Sequence, residues 1–229
     1  MYYVIQENTF REANYNMVIN AIERAGLEYE IVKVYPFIDD VEVKTDRKDV
    51  FVFGSLKLAR VAKNFGWHPG SLMNSNNDYR VYSKYYKDNL LNWDSKVCDF
   101  TDEFDIPKPK FIRPCEDTKS FNGGLYDHEE WSQIIERSLK NNFNTNFQIQ
   151  VAEPKKVFKE WRFWVVDGKI ITQSQYRLGG RFCTDSFVEP GAIEFAQSMV
   201  DKFQLAESFV IDICSTDYGF EDRGYKIVD

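Results

Sequence analysis

The segment from Lys110 to Tyr126 (KFIRPCEDTKSFNGGLY) combines cations, carboxylates and a glycine pair in one short stretch. Arg113 ends an apolar run, and Lys119 follows in a loop that also holds Gly123-Gly124. Two cations can oppose the charge of a phosphate, and glycines let a backbone approach a ligand closely. The segment therefore fits either a loop that closes over a bound anion or a solvated turn between a strand and a helix.

A second group of charged residues begins at Glu160. Because side chains alternate along a strand, Glu160 and Arg162 are predicted on one face and Trp161 and Phe163 on the other. Charge on the solvent side of a surface strand is common, so the Glu-x-Arg pattern alone does not mark a site.

The dipeptide Asp167-Gly168 between two alternating runs predicts a β-hairpin. A register centred on it places Arg177, which follows Tyr176, opposite residues 158–160. We therefore expect Glu160, Arg162 and Arg177 to converge on one face of the sheet as an anion site with an internal counter-charge.

Asp212 lies inside the apolar run SFVIDIC. If it is buried, its carboxylate needs a cation or a metal, and magnesium shared with phosphates suits such oxygen ligands. The alternative is an alternating aspartate that reaches water.

Composition narrows the class of protein. The 229 residues carry a formal net charge of -7 and are 43% hydrophobic, which favours a folded acidic protein over a general nucleic-acid binder. Four scattered cysteines and two histidines favour reduced thiols over a disulfide framework or a zinc site. No apolar run is long enough for a membrane span, and the common phosphate-loop and hydrolase motifs do not occur.

Hydrophobic periodicity predicts a small α/β domain over residues 1–95 and a second domain over residues 96–229. In the first, strands are expected at 2–6, 29–34 and 49–54, and helices at 14–26 and 56–65, before a connection with a short helix at 79–91. In the second, strands are expected at 110–113, 147–151, 161–166, 170–176, 208–213 and 225–228, and helices at 127–140 and 190–203. Arg181, beyond Gly179-Gly180, is expected on a flexible loop.

These motifs occur in a recognisable order. The run FIRP, a Lys-x-Phe-x-Gly-Gly loop, VAEP, EWRFWVVDGKI, a following YR and then VID resemble the ATP-grasp enzymes over about residues 105 to 229. More narrowly, they resemble the clade marked by two arginines and a lysine, which is common in phage and bacterial genomes. The resemblance implies an α/β fold in which a pre-ATP-grasp-like domain precedes an α+β ATP-grasp domain, with the nucleotide between two lobes.

The resemblance also implies residues for binding ATP. Arg113 takes the place of the usual nucleotide-phosphate lysine, and Lys119 lies in the loop that covers the phosphates. Gln150, Val151 and Glu153 belong to the segment between the lobes that reads adenine, with Glu153 near the ribose or the adenine edge.

Catalytic and metal-binding roles follow in the same way. Arg162 and Arg177, with Glu160, hold the acceptor carboxylate or the transferring phosphoryl group, and Asp212 is the first magnesium ligand. In the family, the last strand continues into an acidic residue and then an asparagine. Here either Asp229 supplies that acidic ligand, or the sequence ends before the metal site is complete.

The implied activity is an ATP- and Mg²⁺-dependent ligase that joins a small-molecule carboxylate to an amine through an acyl phosphate. A phosphoryl-transferring, kinase-like enzyme and a non-catalytic nucleotide-binding or assembly protein remain alternatives. An end-processing nucleic-acid ligase is disfavoured by the acidic charge. The expected location is the cytoplasm, which is that of the host if a phage encodes the chain.

Overall fold

The computed structural model describes residues 1–7, 15–35, 41–71, 75–117, 120–216 and 224–228. Contacts divide the chain into two compact units, Met1–Met73 and Asn74–Asp229. Each unit contains helices and sheets, so the predicted mixed α/β class is confirmed. Among the described helices, none combines the length and the apolar run that a bilayer span requires.

The first unit is built around a parallel sheet with strand order β2-β1-β3. The turn from the third strand into α2 is held by Gln6, whose side-chain oxygen accepts hydrogen bonds from the backbone N–H and the hydroxyl of Ser55. Ser55 also caps the helix by accepting from the Leu58 N–H. The elements are β1 (Tyr2–Gln6), α1 (Tyr15–Arg24), β2 (Glu28–Val32), β3 (Val50–Phe53) and α2 (Leu56–Asn64).

The second unit contains a four-stranded antiparallel sheet of order β4-β7-β5-β6. Helix α4 begins at a capping box, in which Asp127 and Glu130 each accept the other's backbone N–H. Its buried Trp131 packs against Phe100 in the core of this sheet. The elements are β4 (Lys96–Asp99), β5 (Lys110–Pro114), β6 (Gly124–Tyr126), α4 (His128–Lys140) and β7 (Gln148–Ala152).

A five-stranded antiparallel sheet of order β10-β9-β8-β11-β12 forms the rest of the second unit. One face of this sheet packs against α5 and α3 around buried Trp161, Phe163 and Ala196. The elements are α3 (Tyr79–Tyr86), a 3-10 turn (Lys87–Asn89), β8 (Lys159–Val166), β9 (Lys169–Leu178), β10 (Arg181–Asp185), α5 (Pro190–Lys202), β11 (Ser208–Ser215) and β12 (Tyr225–Ile227).

The division between units lies earlier in the chain than the predicted boundary after residue 95. The reason is helix α3, which lies before the predicted boundary. Its buried Tyr79, Tyr82 and Tyr86 pack into the core beneath the five-stranded sheet. Aromatic burial therefore places α3 in the second unit.

The predicted hairpin is confirmed, because β8 and β9 are joined by Asp167-Gly168 and Val166 pairs with Lys169. Both turn residues have positive φ angles, 48° and 73°, as the tight turn requires. The expectation of a flexible loop at Arg181 is wrong. Gly179-Gly180 forms a second tight turn, and Arg181 begins strand β10 opposite Leu178.

Candidate active site

Strand β8 separates an apolar face from a charged one. Trp161 and Phe163 are buried in the core against α5, whereas Glu160 and Arg162 lie on the opposite face. The predicted alternation is therefore confirmed. The charged face carries Glu160 and Arg162, two of the predicted site residues.

A bulge in β9 brings two consecutive residues to this charged face. Glu160 pairs with Arg177 and Trp161 pairs with Gln175, so Tyr176 is an extra residue between the two pairs. Regular alternation sends Tyr176 and Arg177 to opposite faces. Here both side chains bond to Glu160, because the bulge interrupts that alternation.

Five side chains on three strands form one hydrogen-bonded group, which we call the arginine cluster: Glu160, Arg162, Tyr176, Arg177 and Asp212. Arg162 donates to both oxygens of Asp212, from Nε at 2.9 Å and from Nη2 at 2.8 Å. Arg177 donates from Nη1 to Glu160 Oε1 at 2.9 Å. The Tyr176 hydroxyl lies 2.5 Å from Glu160 Oε2 and 3.2 Å from Asp212 Oδ2, and so connects the two ion pairs.

The charges of the arginine cluster are arranged by depth. Glu160 and Asp212 are buried, whereas the side chains of Arg162 and Arg177 are 45% and 39% exposed. Both guanidiniums also contact the Tyr176 ring, at 5.2 and 5.8 Å from its centroid. The formal charges balance, but the positive groups face outward and the negative groups lie beneath them.

The pKa shifts of Arg162 and Tyr176 follow from this arrangement. The bidentate bond to Asp212 raises the pKa of Arg162. Burial raises the pKa of Tyr176, and the charge of Asp212 and the hydrogen bond to Glu160 raise it further. Tyr176 is therefore a protonated donor at neutral pH, and Arg162 keeps its charge.

One buried donor of the arginine cluster has no partner among the residues that the structure describes. Arg177 Nε is buried and makes no hydrogen bond to any residue that the structure describes. A buried donor without a partner is unfavourable, so this position favours an acceptor from outside the described residues.

The predicted nucleotide residues lie on the four-stranded sheet. Arg113 of β5 is directly opposite Gln150 of β7, and Val151 is opposite Ile112. Gly123 packs closely on Arg113, because a Cβ at this glycine would lie only 2.9 Å from the Arg113 Cβ. This close approach requires glycine at one position of the glycine pair and packs its backbone against the aliphatic stem of half-buried Arg113, whose guanidinium suits a phosphate.

The other nucleotide candidates differ in their surroundings. Gln150 is buried and accepts a hydrogen bond from Ser95 at 3.3 Å, whereas Glu153 is exposed and forms an ion pair with Lys110. Glu153 begins the connection from β7 to β8, which joins the two sheets. Lys119 lies outside the described residues.

A magnesium site is not formed by the described residues alone. Both oxygens of Asp212 accept hydrogen bonds from Arg162, which is the cation that its burial required. In the ranges that the structure describes, no three His, Cys, Asp or Glu residues are grouped to hold a metal ion. Asp212 therefore stays a predicted ligand, and Asp229 is outside the described ranges.

Tyr176 lies in the predicted hairpin, but no role was predicted for it. The single sign that could have identified it is its position beside Arg177, but its contacts depend on the bulge. Glu160, Arg162, Arg177 and Asp212 were all predicted, and the structure brings them together. Their catalytic and metal-binding roles remain predictions.

Comparisons with known proteins agree with this architecture. Residues 92–227 match the ATP-grasp domain of family 2 in the clade that is named for two arginines and a lysine. The fold is similar to a D-alanine–D-alanine ligase from Bacillus anthracis, with a TM-score of 0.66 at 10% identity over 100% of this chain and 86% of that one. The same ligase complexed with ATP gives 0.55 at 11% identity, over 100% and 85%.

A second kind of solved structure is similar as well. It is a RimK domain protein of the ATP-grasp type from Sphaerobacter thermophilus, with a TM-score of 0.62 at 13% identity over 100% of this chain and 89% of that one. No curated protein matches the sequence. At these identities the structural likeness supports the fold, whereas the family match covers more than half of the chain.

Proposed function

Since the chain belongs to the ATP-grasp superfamily, in family 2 of the clade named for two arginines and a lysine, we propose that it is an ATP-dependent ligase that joins a carboxylate to an amine. In the first step, a carboxylate oxygen attacks the γ-phosphorus of ATP, the bond to the β,γ-bridging oxygen breaks, and ADP leaves. In the second, the amine nitrogen attacks the acyl carbon, phosphate leaves, and the nitrogen loses a proton to form the amide.

The observation that carries the proposal is the outward-facing pair of arginines in the arginine cluster. The buried carboxylates of Glu160 and Asp212 fix the guanidiniums of Arg177 and Arg162 before any ligand arrives. Positive groups held in position stabilise negative charge as it develops on a transferring phosphoryl group or an acceptor carboxylate. The arginine cluster therefore supplies preorganised positive charge for the transferring phosphoryl group and the acceptor carboxylate.

The remaining assignments belong to the same proposal. Arg113 and Lys119 bind the phosphates of ATP, and Gln150, Val151 and Glu153 contact its base and ribose. Magnesium, when bound, screens the phosphate charge, with Asp212 and Asp229 as the proposed ligands. The close packing of Gly123 on Arg113 supports the phosphate assignment.

The proposal is tested by ADP release from the purified chain with panels of carboxylates and amines, each supplied alone and then together. We expect release that requires a carboxylate, and hydroxylamine in place of the amine should trap the acyl phosphate as a hydroxamate. Release with a carboxylate alone and a stable phosphorylated product would favour the kinase-like alternative. ATP binding without turnover on any pair would contradict both enzymatic readings.

Arginine variants link the activity to the site. Arg177→Lys keeps a charge near Glu160 but loses the planar fork, so kcat/KM should fall on the order of a hundredfold. Arg137→Ala, at an exposed arginine of α4, is the matched control and should leave kcat/KM unchanged. Circular dichroism melting checks that both variants are folded, and an Arg177→Lys enzyme with full activity would remove the arginine cluster from the mechanism.

A further inference from the structure

An apolar patch lies beside the arginine cluster on the five-stranded sheet. It consists of Trp164 and Val210, which are 36% and 43% exposed, and Ile171 of the neighbouring strand β9 is 62% exposed. Trp164 and Val210 are directly opposite each other on β8 and β11, and Ile171 is the extra residue of a second bulge in β9. Single exposed apolar residues are ordinary, but adjacent ones next to charged groups are typical of binding surfaces.

The apolar patch lies on the same sheet face as the charged residues of β8 and β11, further along each strand. Trp164 follows Arg162 by two positions on β8, and Val210 precedes Asp212 by two positions on β11. Each pair shares a face, with Cα atoms about 7 Å apart along the strand. An extended substituent on a ligand group bound at the arginines can therefore reach the apolar patch.

The direction of these rows separates the apolar patch from the predicted adenine position. The connection that follows Glu153 enters β8 at its first residue, and the strand then runs through Glu160 towards Trp164. Trp164 lies about 13 Å beyond Glu160 along the strand. The apolar patch is thus at the far end of the charged row from the segment assigned to the base of ATP.

We propose that the arginine cluster and the apolar patch form one site for a carboxylate that carries an aliphatic or aromatic group. This inference deepens the ligase proposal and rests on it, because it names the class of the carboxylate substrate. The carboxylate lies at Arg162 and Arg177, and the apolar group covers Trp164 and Val210. A small polar acid leaves these side chains in water and lacks the hydrophobic contribution to binding.

Calorimetric binding of straight-chain carboxylates tests the inference without requiring turnover. The probes are acetate, butanoate, hexanoate and 3-phenylpropanoate, with hexanamide as the uncharged match, all in the presence of a non-hydrolysable ATP analogue. In the unmodified protein, affinity should rise roughly twofold to fourfold for each added methylene. Hexanamide should bind at least tenfold more weakly than hexanoate, because it lacks the charge that the arginines recognise.

Substitutions then assign the effect to the apolar patch. Trp164→Ser and Val210→Thr should flatten the dependence on chain length while leaving the affinity for the ATP analogue unchanged. Phe143→Ser, at an exposed aromatic residue just after α4, is the matched control and should keep the full dependence. All three side chains are at least one-third exposed, so the variants should fold.

The outcomes separate this inference from the ligase proposal. A flat chain-length series in the unmodified protein, or an unchanged slope in both patch variants, overturns the apolar carboxylate site. A steep rise of affinity with chain length that is lost in the patch variants supports the apolar carboxylate site. If no carboxylate and amine then cause ADP release, the site stands but the ligase reaction is overturned. A patch variant with weaker binding of the ATP analogue would instead assign the apolar patch to the nucleotide.

Discussion

Replacing Tyr176 by phenylalanine removes one hydroxyl from the arginine cluster and keeps the ring against which both guanidiniums lie. The hydroxyl is 2.5 Å from an oxygen of buried Glu160, which is a short bond to a charged acceptor. Hydrogen bonds of this kind contribute roughly 1.5–3 kcal/mol. The variant should therefore lose about 2 kcal/mol of unfolding free energy, because Glu160 keeps its burial but loses a donor.

Urea unfolding followed by tryptophan fluorescence measures this loss. Four of the five tryptophans follow residue 73, so the signal reports mainly on the second unit. A loss of about 2 kcal/mol shifts the urea midpoint by about 1 M for an ordinary slope. Tyr85→Phe is the control, because Tyr85 is exposed and stacks on Phe203, and its loss should stay below about 0.5 kcal/mol. A Tyr176→Phe midpoint equal to that of the control would refute the reasoning.

The same hydroxyl gives a pH dependence of definite sign. The folded protein raises the pKa of Tyr176 above its ordinary value of 10.0, so it holds the phenolic proton more tightly than the unfolded chain does. The contribution to stability is complete below pH 10 and falls above it, by about 1.4 kcal/mol per pH unit. The stability difference between the unmodified protein and Tyr176→Phe should be constant at neutral pH and should shrink from pH 10 upward. A difference that grows in this range would reverse the assigned direction of the shift.

Two further predictions concern a glycine and the thiols. Gly123→Ala should weaken binding of an ATP analogue about tenfold, since the new Cβ displaces Arg113 at a cost of roughly 1–3 kcal/mol. Gly124→Ala is the control, because a Cβ there meets only ordinary contacts. Equal affinities of the two variants for the ATP analogue would contradict the phosphate assignment. When the native protein is labelled with iodoacetamide at pH 8, mass spectrometry should find exposed Cys183 modified first and Cys214 protected. The reason is that burial raises the pKa of Cys214 to about 12. Comparable labelling rates for both cysteines would contradict this order.

Much of the charged face could be predicted from local sequence rules. The period of two separates Glu160 from Trp161, and Asp167-Gly168 predicts the hairpin. Regular pairing counted from that turn would place Gln175 opposite Glu160, and the two bulges in β9 bring Arg177 there instead. Asp212 was identified because a carboxylate in an apolar strand needs a partner. The alternation along β8 depends on local geometry alone, whereas the partner of Asp212 is Arg162, 50 residues away along the chain.

The missed features depend on contacts made at longer range. The bulge at Tyr176 cannot be recognised by counting residues, since it exists only relative to the neighbouring strand. Strand β10 was missed because all of its residues are exposed, so it has no apolar alternation to detect. Helix α3 was predicted in the connection before the domain boundary, because its aromatic face gives no indication of which core it enters.

The two bulges give β9 ten residues opposite the eight of β8. Strand β9 therefore contains two residues more than regular pairing with β8 requires. Deleting Ile171 would restore regular pairing next to Trp164 and Thr172 and leave Arg177 opposite Glu160, whereas deleting Tyr176 would remove the link between the ion pairs. Length variation among related chains is therefore expected to be tolerated at the first bulge and selected against at the second.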